Sequence, residues 1–510
     1  MANPYETGLD LLKSRVIGNP YVSHEELTDE EIRRVNEVLL YWKYYRGDHW
    51  DVQRPKGEPQ NTINYSARFV DKGVSFLMGK GFTINVRKEA EDITKPFIDK
   101  VLDDNNRLLL GLEMAQSGGV TGEAYVRVSL QHYDKDTEPF YAELYPNGRI
   151  RIQVLPTYAC FPRWNNHDPD KMDEIRIIYP IRVQVRDGEY KTVWYEEHIT
   201  PTRIREYIDG QLQSDRVNEL GVIYVVRIRN LIVANHPYGK SDLQDIIPLN
   251  RELNEKTTDV SDIINYHASP VTLIYGAKAN NLEKGARKVW GGLPKDARVE
   301  NLELQSDLSA SMNYIQLIRK SMFELASMPQ DALGGEDLKS NITGVALNLK
   351  YQPLIDLNNK KKLTYGEGIQ EICRLILRYA DVYELEGFKV DEFRKLKGLD
   401  KWHVDVEFPN PLPKDELLQV QLIVEKLNNH LMTRLDALKE LGEYDAQAKL
   451  QEIMDEFIEW QNLMFEETTK KSLEDEPDDT EEDINLGGIK RDRADLMGHT
   501  GRNHSKEDDG

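Results

Sequence analysis

The chain has little cysteine and no long apolar run. Its two cysteines, Cys160 and Cys373, lie far apart among 510 residues, so the sequence predicts neither a disulfide framework nor a cysteine-based metal site. No segment approaches the roughly 18 apolar residues that a membrane span requires. The N-terminal stretch MANPYETGLDLLKSRV lacks the basic and then apolar order of a signal peptide. We therefore expect a protein of a reducing cytoplasm, with no membrane partner.

Positive charge is also scarce. Lysine and arginine number 66 against 88 aspartate and glutamate residues, which gives a net charge of −22. Nucleic-acid affinity comes largely from counterions released at Lys and Arg contacts with phosphate. This balance argues against a protein that grips DNA or RNA, but it allows one through which nucleic acid passes. The length suggests about two to four domains.

Motifs for catalysis and nucleotide binding are missing. The sequence contains no G-x-S-x-G and no H-E-x-x-H. The segment GVSFLMGKG (residues 73–81) is one residue too long for a P-loop, has Gly81 where a hydroxyl residue should stand, and follows a predicted helix. We interpret it as an ordinary helix end, with Gly79 as the residue just past the helix.

Three weaker candidates for chemistry remain. HDPDKMD (residues 167–173) resembles a calcium loop but lacks the Gly and the final Glu of an EF-hand, so a solvated turn is favoured. His403 and Asp405 share one face of a predicted strand, a spacing that is common in strands of any function. Cys373 stands among apolar residues of a helix and is predicted to be a core thiol. We predict no enzyme activity, cofactor or metal; a metal-dependent nuclease using His403 and Asp405 or the HDPD turn is the enzyme alternative.

The first half of the chain predicts helices followed by strands. Thr28 and Glu31 form a capping box at the start of a helix that runs to about residue 46. Further helices are predicted at 65–79, 89–103 and 106–117, the last ended by Gly118 and Gly119, with a strand at 82–86. From residue 123 to 228 the apolar period changes to two, in the runs EAYVRVSL, AELYP, RIQVLP, EIRIIYPIRVQV, KTVWYEEHIT, RIREYI and GVIYVVRI. This pattern predicts an antiparallel meander.

The second half is predicted to be mainly helical. Amphipathic helices are expected at 241–267 and 309–328, and a long helix is expected to reach about residue 380 with a kink at Pro353. WHVDVEF reads as a lone strand, and helices follow at 414–429, 433–441 and 445–468. Residues 466–483 hold ten acids against two lysines and are predicted to be disordered. The side chains expected on the buried sides of the two amphipathic helices are Leu243, Ile246 or Ile247, Leu253, Val260 and Ile264, and Met312, Ile315, Ile318, Met322 and Leu325.

Two segments of this half have unusual compositions. ALGGEDLKSNITGVAL (residues 332–347) joins two helices but follows a helix and has no GK[ST], so a phosphate cradle is disfavoured. Residues 271–299 hold six basic residues and two acids in a strongly acidic chain. They form either a solvated charged face or a docking surface for an acidic partner or a passing phosphate backbone. The six basic residues are Lys278, Lys284, Arg287, Lys288, Lys295 and Arg298.

The order of these features resembles the portal proteins of tailed bacteriophages, of the type found in long-tailed phages of Gram-positive hosts. The resemblance covers roughly residues 30–470 and is strongest over 238–372, where PYGKSDLQDIIPLN, SMPQDALGG and SNITGVALNLKYQPLI follow one another. It implies an α+β, ring-forming subunit. Its parts would be a wing (1–240), stem helix 1 (241–267), a clip (268–306), stem helix 2 (307–328), a tunnel loop (329–342), a long helix returning to the wing (343–412), a helical crown (413–470) and an acidic disordered tail (471–510).

The resemblance also implies a function. Portal proteins form a ring, usually of twelve copies, at one capsid vertex of the virion, and they assemble in the host cytoplasm. Double-stranded DNA would pass through the ring, and the implied protein partners are the terminase large subunit, a head-completion or adaptor protein, and the major capsid and scaffolding proteins. A minor capsid or scaffolding protein without a channel is the alternative.

The resemblance assigns residues to two sites. The six basic residues above would lie in the clip, at the DNA entrance where the motor and adaptor dock. In the tunnel loop, Gly334 and Gly335 would supply backbone freedom, Ser340 or Asn341 would cap the next helix, and Lys339 would hold DNA weakly near the axis.

Overall fold

A computed structural model describes residues 27–474, apart from residues 57, 169, 187, 269–271, 276–297, 302–307, 334–343, 397, 412–415 and 444–445. The chain divides into two compact units, one up to Pro413 and one from Lys414 onward.

Unit 1 begins with helices, as predicted. These are α1 (Asp29–Tyr45), α2 (Tyr65–Met78), α3 (Glu91–Asp104) and α4 (Arg107–Thr121), with strand β1 (Thr83–Val86) between α2 and α3. The capping box is confirmed: the Thr28 hydroxyl accepts a hydrogen bond from the Glu31 backbone N–H, and the Glu31 carboxylate accepts one from the Thr28 N–H at 2.8 Å. Two of the four orphan N–H groups at the start of α1 are therefore satisfied locally.

Of two helix ends predicted at glycines, one is confirmed in position and the other is wrong. Helix α2 does stop before Gly79, but Gly79 is right-handed (φ −61°), and the left-handed glycine is Gly81 (φ +71°). Helix α4 continues through Gly118 and Gly119 and ends at the left-handed Gly122 (φ +89°). Gly118 allows α4 to pack closely against Tyr365, because a Cβ atom at position 118 would lie 2.0 Å from the Tyr365 hydroxyl.

Two antiparallel sheets follow. Strands β2 (Glu123–Gln131) and β3 (Arg149–Leu155) are joined through the short helix α5 (Pro139–Leu144), and β4 (Cys160–Trp164), β5 (Met172–Arg186), β6 (Glu189–Ile199), β7 (Arg203–Ile208) and β8 (Gln211–Val217) pair in sequence order. Strand β9 (Val225–Arg229) returns to pair with β2. The predicted meander is confirmed for β4–β8, whereas β9 departs from it. AELYP, predicted as a strand, belongs to α5, which begins at Pro139, a residue that suits the first turn of a helix.

The remainder of unit 1 is mostly helical. In order it holds α6 (Ile247–Ala268), β10 (Thr272–Tyr275), β11 (Arg298–Asn301), α7 (Leu308–Leu325), α8 (Gly344–Tyr383), α9 (Val390–Lys395) and β12 (Val404–Glu407). The strand predicted to stand alone, β12, pairs with β1. Helix α8 is continuous for 40 residues and contains Pro353.

The main core lies between the helices α3, α4 and α8 and the strands β2 and β9. Fully buried side chains such as Met114, Tyr125, Ile228 and Ile372 meet there. Cys373 belongs to this core, as predicted, and burial raises the pKa of its thiol to about 12. A thiol in that state is inert near neutral pH.

The described part of unit 2 contains three helices, α10 (Glu416–Asn428), α11 (Arg434–Leu441) and α12 (Ala446–Glu474). Thr433 caps α11, and the left-handed Gly442 ends it. The three helices match the prediction, but α12 runs six residues further than expected. Residues 466–474, predicted to be disordered, are therefore helical, and residues 475–510 lie outside the described part of the chain.

Candidate functional site: a helical pair and the segments it carries

Helices α6 and α7 pack against each other and, with neighbouring elements, enclose a small apolar cluster. Ile246 and Leu253 on the α6 side meet Ile318, Met322 and Phe323 of α7. The same cluster includes residues of α2 and α8, so the pair is fixed to two further helices. This cluster therefore holds in place the helix ends to which the neighbouring segments of the chain are attached.

The start of the first helix differs from the prediction. Residues 242–246 form turns, and the helix begins at Ile247 rather than near Ser241. The Ser241 hydroxyl donates to the Val120 carbonyl at 2.6 Å and accepts from the Leu243 N–H at 3.0 Å. Contacts with the end of α4 therefore replace the first predicted turn.

A polar stripe on α6 binds the connection between α1 and α2. Asn250, Asn254 and Thr258 are spaced four residues apart and all are buried. The Asn254 side-chain oxygen accepts from the Ile63 N–H at 2.9 Å, and the Thr258 hydroxyl accepts from the Asn61 N–H at 3.0 Å. Backbone groups of the connection thus find partners on the helix, which irregular buried backbone needs.

Two more contacts fix this connection to α6. The Asn254 amide lies 2.7 Å from His49 Nδ1, and Arg54 forms an ion pair with Asp262 at 2.6 Å. Burial lowers the pKa of His49. Sequence reasoning missed the stripe because the side chains are polar; the repeat of Asn, Asn and Thr at spacings of four was the available signal.

Parts of the predicted apolar sides are exposed. Leu243, Leu253 and Val260 are buried as expected, but Ile264 is 52% exposed. On α7, Ile318 and Met322 are buried, whereas Met312 and Leu325 are about half exposed, as are Tyr314 and Leu317. The first eleven residues of α7, 308–318, include no charged residue. The first part of α7 therefore presents an uncharged surface, unusual in so charged a chain.

The predicted clip lies between α6 and α7. Its described parts are β10 and β11, which pair antiparallel with Thr272 opposite Asn301 and Tyr275 opposite Arg298. Arg298 is exposed on β11. The other five basic residues assigned to the clip, Lys278, Lys284, Arg287, Lys288 and Lys295, lie outside the described residues.

The predicted tunnel-loop residues Gly334, Gly335, Lys339, Ser340 and Asn341 also lie outside the described residues, but both flanks of their segment are described. A 3₁₀ turn (Gln330–Leu333) precedes it and α8 follows it.

These flanks are held together. Asp331 forms an ion pair with Lys350 across the segment, and the Asp331 side chain is 5% exposed. Tyr351 stacks on Phe76 at 5.8 Å, and Ala332 joins the apolar cluster. The two ends of the segment are thus fixed.

A buried polar network ties α8 to the start of α6. Lys361 Nζ lies 2.5 Å from Asp242 Oδ2, and the side chain of Asn230 donates to the other carboxylate oxygen at 2.8 Å. Tyr365 donates to Asn230 at 3.2 Å. A buried ion pair with its remaining positions hydrogen-bonded fixes a single arrangement. No local pattern in the sequence indicates this network, because Lys361 and Tyr365 lie more than 100 residues from their partners Asp242 and Asn230.

The weaker chemical candidates do not form a site within the described residues. His403 and Asp405 approach each other at 2.9 Å on an exposed face. Asn165 and Asp168 use their side-chain oxygens to accept backbone N–H groups of the HDPD turn. In the described part of the chain, no three His, Cys, Asp or Glu side chains are arranged to hold a metal.

The remaining nucleotide candidate is also explained by local structure, because residues 73–78 belong to α2 rather than to a turn after a strand. Among the described helices, none is both long and apolar enough to cross a membrane.

Comparisons with known proteins place the chain in a family. No curated protein matches it. A chain of the solved structure titled "Virion of native gene transfer agent (GTA) particle" is similar to this chain at 12% sequence identity. The match covers 80% of this chain and 93% of that chain, and its TM-score of 0.40 is too low to carry a conclusion. The family model for "Phage portal protein, SPP1 Gp6-like" matches residues 24–461, which include the helical pair, its hairpin and both flanks of the Gly-rich segment. The chain belongs to the SPP1 Gp6-like family of phage portal proteins.

Proposed function

We propose that the chain forms a ring at one vertex of a phage capsid and conducts double-stranded DNA during packaging and ejection. The helical pair carries the proposal: α6 and α7 bear an insertion between them, and the chain then passes through a Gly-rich segment into the long helix α8. Family membership supports the same role. The protein would act without catalysis or a cofactor, and a separate ATPase would supply the motive force.

In this proposal each part of the chain has a place in the ring. The helices α6 and α7 form the stem, the insertion 268–306 is the clip, and residues 329–342 are the tunnel loop. Residues 1–240 form the wing, 343–412 are the long helix and its return to the wing, 413–470 form the crown, and the acidic tail is 471–510. The fixed flanks at Asp331 and Lys350 would hold the base of the tunnel loop while its glycines allow movement.

The charge distribution suits transit rather than tight binding. A net charge of −22 per copy would repel DNA from most of the channel wall. A ring of Lys339 side chains would hold the duplex weakly near the axis, because each phosphate contact contributes a small, salt-dependent term. The six basic residues of the clip would lie at the DNA entrance and contact the motor.

The uncharged surface of α7 suits contact between copies. A closed ring uses a heterologous interface, in which one face of each copy meets a different face of the next. Leu317 and Tyr314 are exposed on α7 and lack charged neighbours over the first eleven residues. Apolar and aromatic side chains of this kind are those that interfaces bury.

The proposed partners follow from the same role. They are copies of the chain, usually twelve, together with the terminase large subunit and a head-completion or adaptor protein at the clip. The major capsid and scaffolding proteins would contact the wing. The protein would assemble in the host cytoplasm and remain in the virion at the portal vertex.

Negative-stain electron microscopy with native mass spectrometry tests this proposal. We expect rings of about a dozen copies with a central hole. A monomer or dimer at micromolar concentration, without rings at any salt concentration, would contradict the proposal and favour a minor capsid or scaffolding protein without a channel.

A further inference from the structure

Helix α12 exposes more apolar surface than is usual for a helix that contacts only water. Every residue from Gln451 to Met464 is exposed. Six large apolar side chains in this stretch are between 37% and 56% exposed: Ile453, Met454, Phe457, Ile458, Trp460 and Met464. If each exposes about half of a side chain of about 200 Å², the patch measures on the order of 600 Å², near the largest that monomers usually show.

These side chains form two faces rather than one stripe. With about 100° per residue, Ile453, Phe457, Trp460 and Met464 share a first face, and Met454 and Ile458 share a second face about 110° away. Together they span about 160°, which is wider than the roughly 100° stripe that packing on a single surface uses. Gln461 lies between the two faces.

Acidic residues occupy the opposite side of the helix. Glu452, Asp455, Glu456 and Glu459 cover an arc of about 100° that avoids both apolar faces, and Leu463 is the one exposed apolar residue among them. No basic residue lies between residues 450 and 464. Copies of α12 can therefore approach through their apolar faces while their acids point away from the contact.

We propose that α12 packs side by side with α12 of neighbouring copies, the face of Ile453, Phe457 and Trp460 against the face of Met454 and Ile458 in the next copy. This inference rests on the proposed ring, in which every copy has a different neighbour on each side. Two unlike faces on one helix are what such an interface requires. A single partner helix would need only one of them.

Engineered cysteines test the contact. Trp460→Cys combined with Ile458→Cys places one thiol on each face, and the native Cys160 and Cys373 are buried and will not compete. Treatment of assembled rings with a short bis-maleimide should give a ladder of covalent multimers on a denaturing gel, extending well beyond dimers. Each single variant should run only as a monomer on the denaturing gel, because one thiol per copy cannot be cross-linked across two unlike faces.

Asp455→Cys with Glu459→Cys is the matched control, because both positions are exposed but lie on the acidic side; it should give no ladder. If the first pair does not assemble, Ile453→Cys with Met454→Cys repeats the test on the same faces. Intact rings without a ladder from either pair, or a ladder from the acidic pair, would overturn the inference and leave the proposed function standing. Absence of rings in the unmodified protein would instead overturn the proposed function.

Discussion

His198 is the residue whose charge the fold controls most directly. It is buried in β6, with Nδ1 3.0 Å from Glu174 and Nε2 2.5 Å from Glu196. Burial alone disfavours the imidazolium, but the hydrogen bonds and charges of the two carboxylates outweigh it, and the pKa of His198 is raised above its usual 6.5. The two carboxylates thus favour the protonated form of His198.

Other charged groups face His198. Arg176 and Arg205 stand opposite His198 on β5 and β7. Arg163 pairs with Glu174 at 3.2 Å, and Arg176 pairs with Glu31 of α1. The capping residue of α1 is therefore joined, through Arg176, to the sheet that contains His198.

Protonated His198 should stabilise the protein in a pH-dependent way. Because its folded-state pKa is raised, the stabilisation is complete below about pH 6.5 and is lost as the pH rises through the folded-state value. We expect His198→Gln to lower the thermal midpoint most near pH 6 and least near pH 9. His132→Gln, at an exposed histidine, is the control. A deficit for His198→Gln that is constant from pH 6 to 9 would contradict the prediction.

At the scale of elements, the polar stripe of α6 is the feature most open to test. Asn254→Ala removes the acceptor for the Ile63 N–H and the partner of His49. His49 is buried, and a buried polar group left unpaired costs about 1–3 kcal/mol. We expect a matching loss of stability in chemical unfolding, and faster proteolysis near Arg54 as the connection detaches.

Glu252→Ala provides a comparison on the same helix, at a residue that is only partly buried. It should leave both readouts nearly unchanged, since surface substitutions usually stay within about 0.5 kcal/mol. Equal effects of the two substitutions would mean that the stripe does not hold the connection.

Local signals in the sequence predicted elements well and their partners poorly. The capping box of Thr28 and Glu31, the alternation of β5 and β6, and the helical pair depend on spacing that a short window contains. Gly118 and Gly119 suggested a helix end, yet Gly118 allows close packing against Tyr365 of α8, and Gly119 allows close packing against Asp242 and Val70. The network of Asp242 and Lys361 joins residues distant in sequence, which no local pattern reveals. The spacing of apolar residues and the placement of charges indicated the helical pair. They did not indicate which of its apolar side chains stay exposed.

At the scale of the whole molecule, ring formation should depend on the uncharged surface of α7. Leu317→Glu places a carboxylate on an exposed side chain, so each copy should fold normally. Repeated around a ring, the new charges would be desolvated and would repel one another. We expect at least a tenfold rise in the concentration needed for assembly, measured by mass photometry.

The same substitution at Leu144 serves as a control, because that leucine is similarly exposed but belongs to α5. Rings of Leu317→Glu that persist to the same dilution as the Leu144→Glu rings would exclude α7 from the interface between copies.

Helix α8 has a mechanical consequence. Forty residues at about 1.5 Å each make a rod of about 60 Å. Its first turns follow the Gly-rich segment, Lys361 pins it near the middle, and Ile372 and Cys373 lie in the main core. If DNA moves through the ring as proposed, a force that it exerts on the Gly-rich segment would be transmitted along α8 beyond the contact at Lys361. The core of the subunit would then be strained by an event at the channel axis.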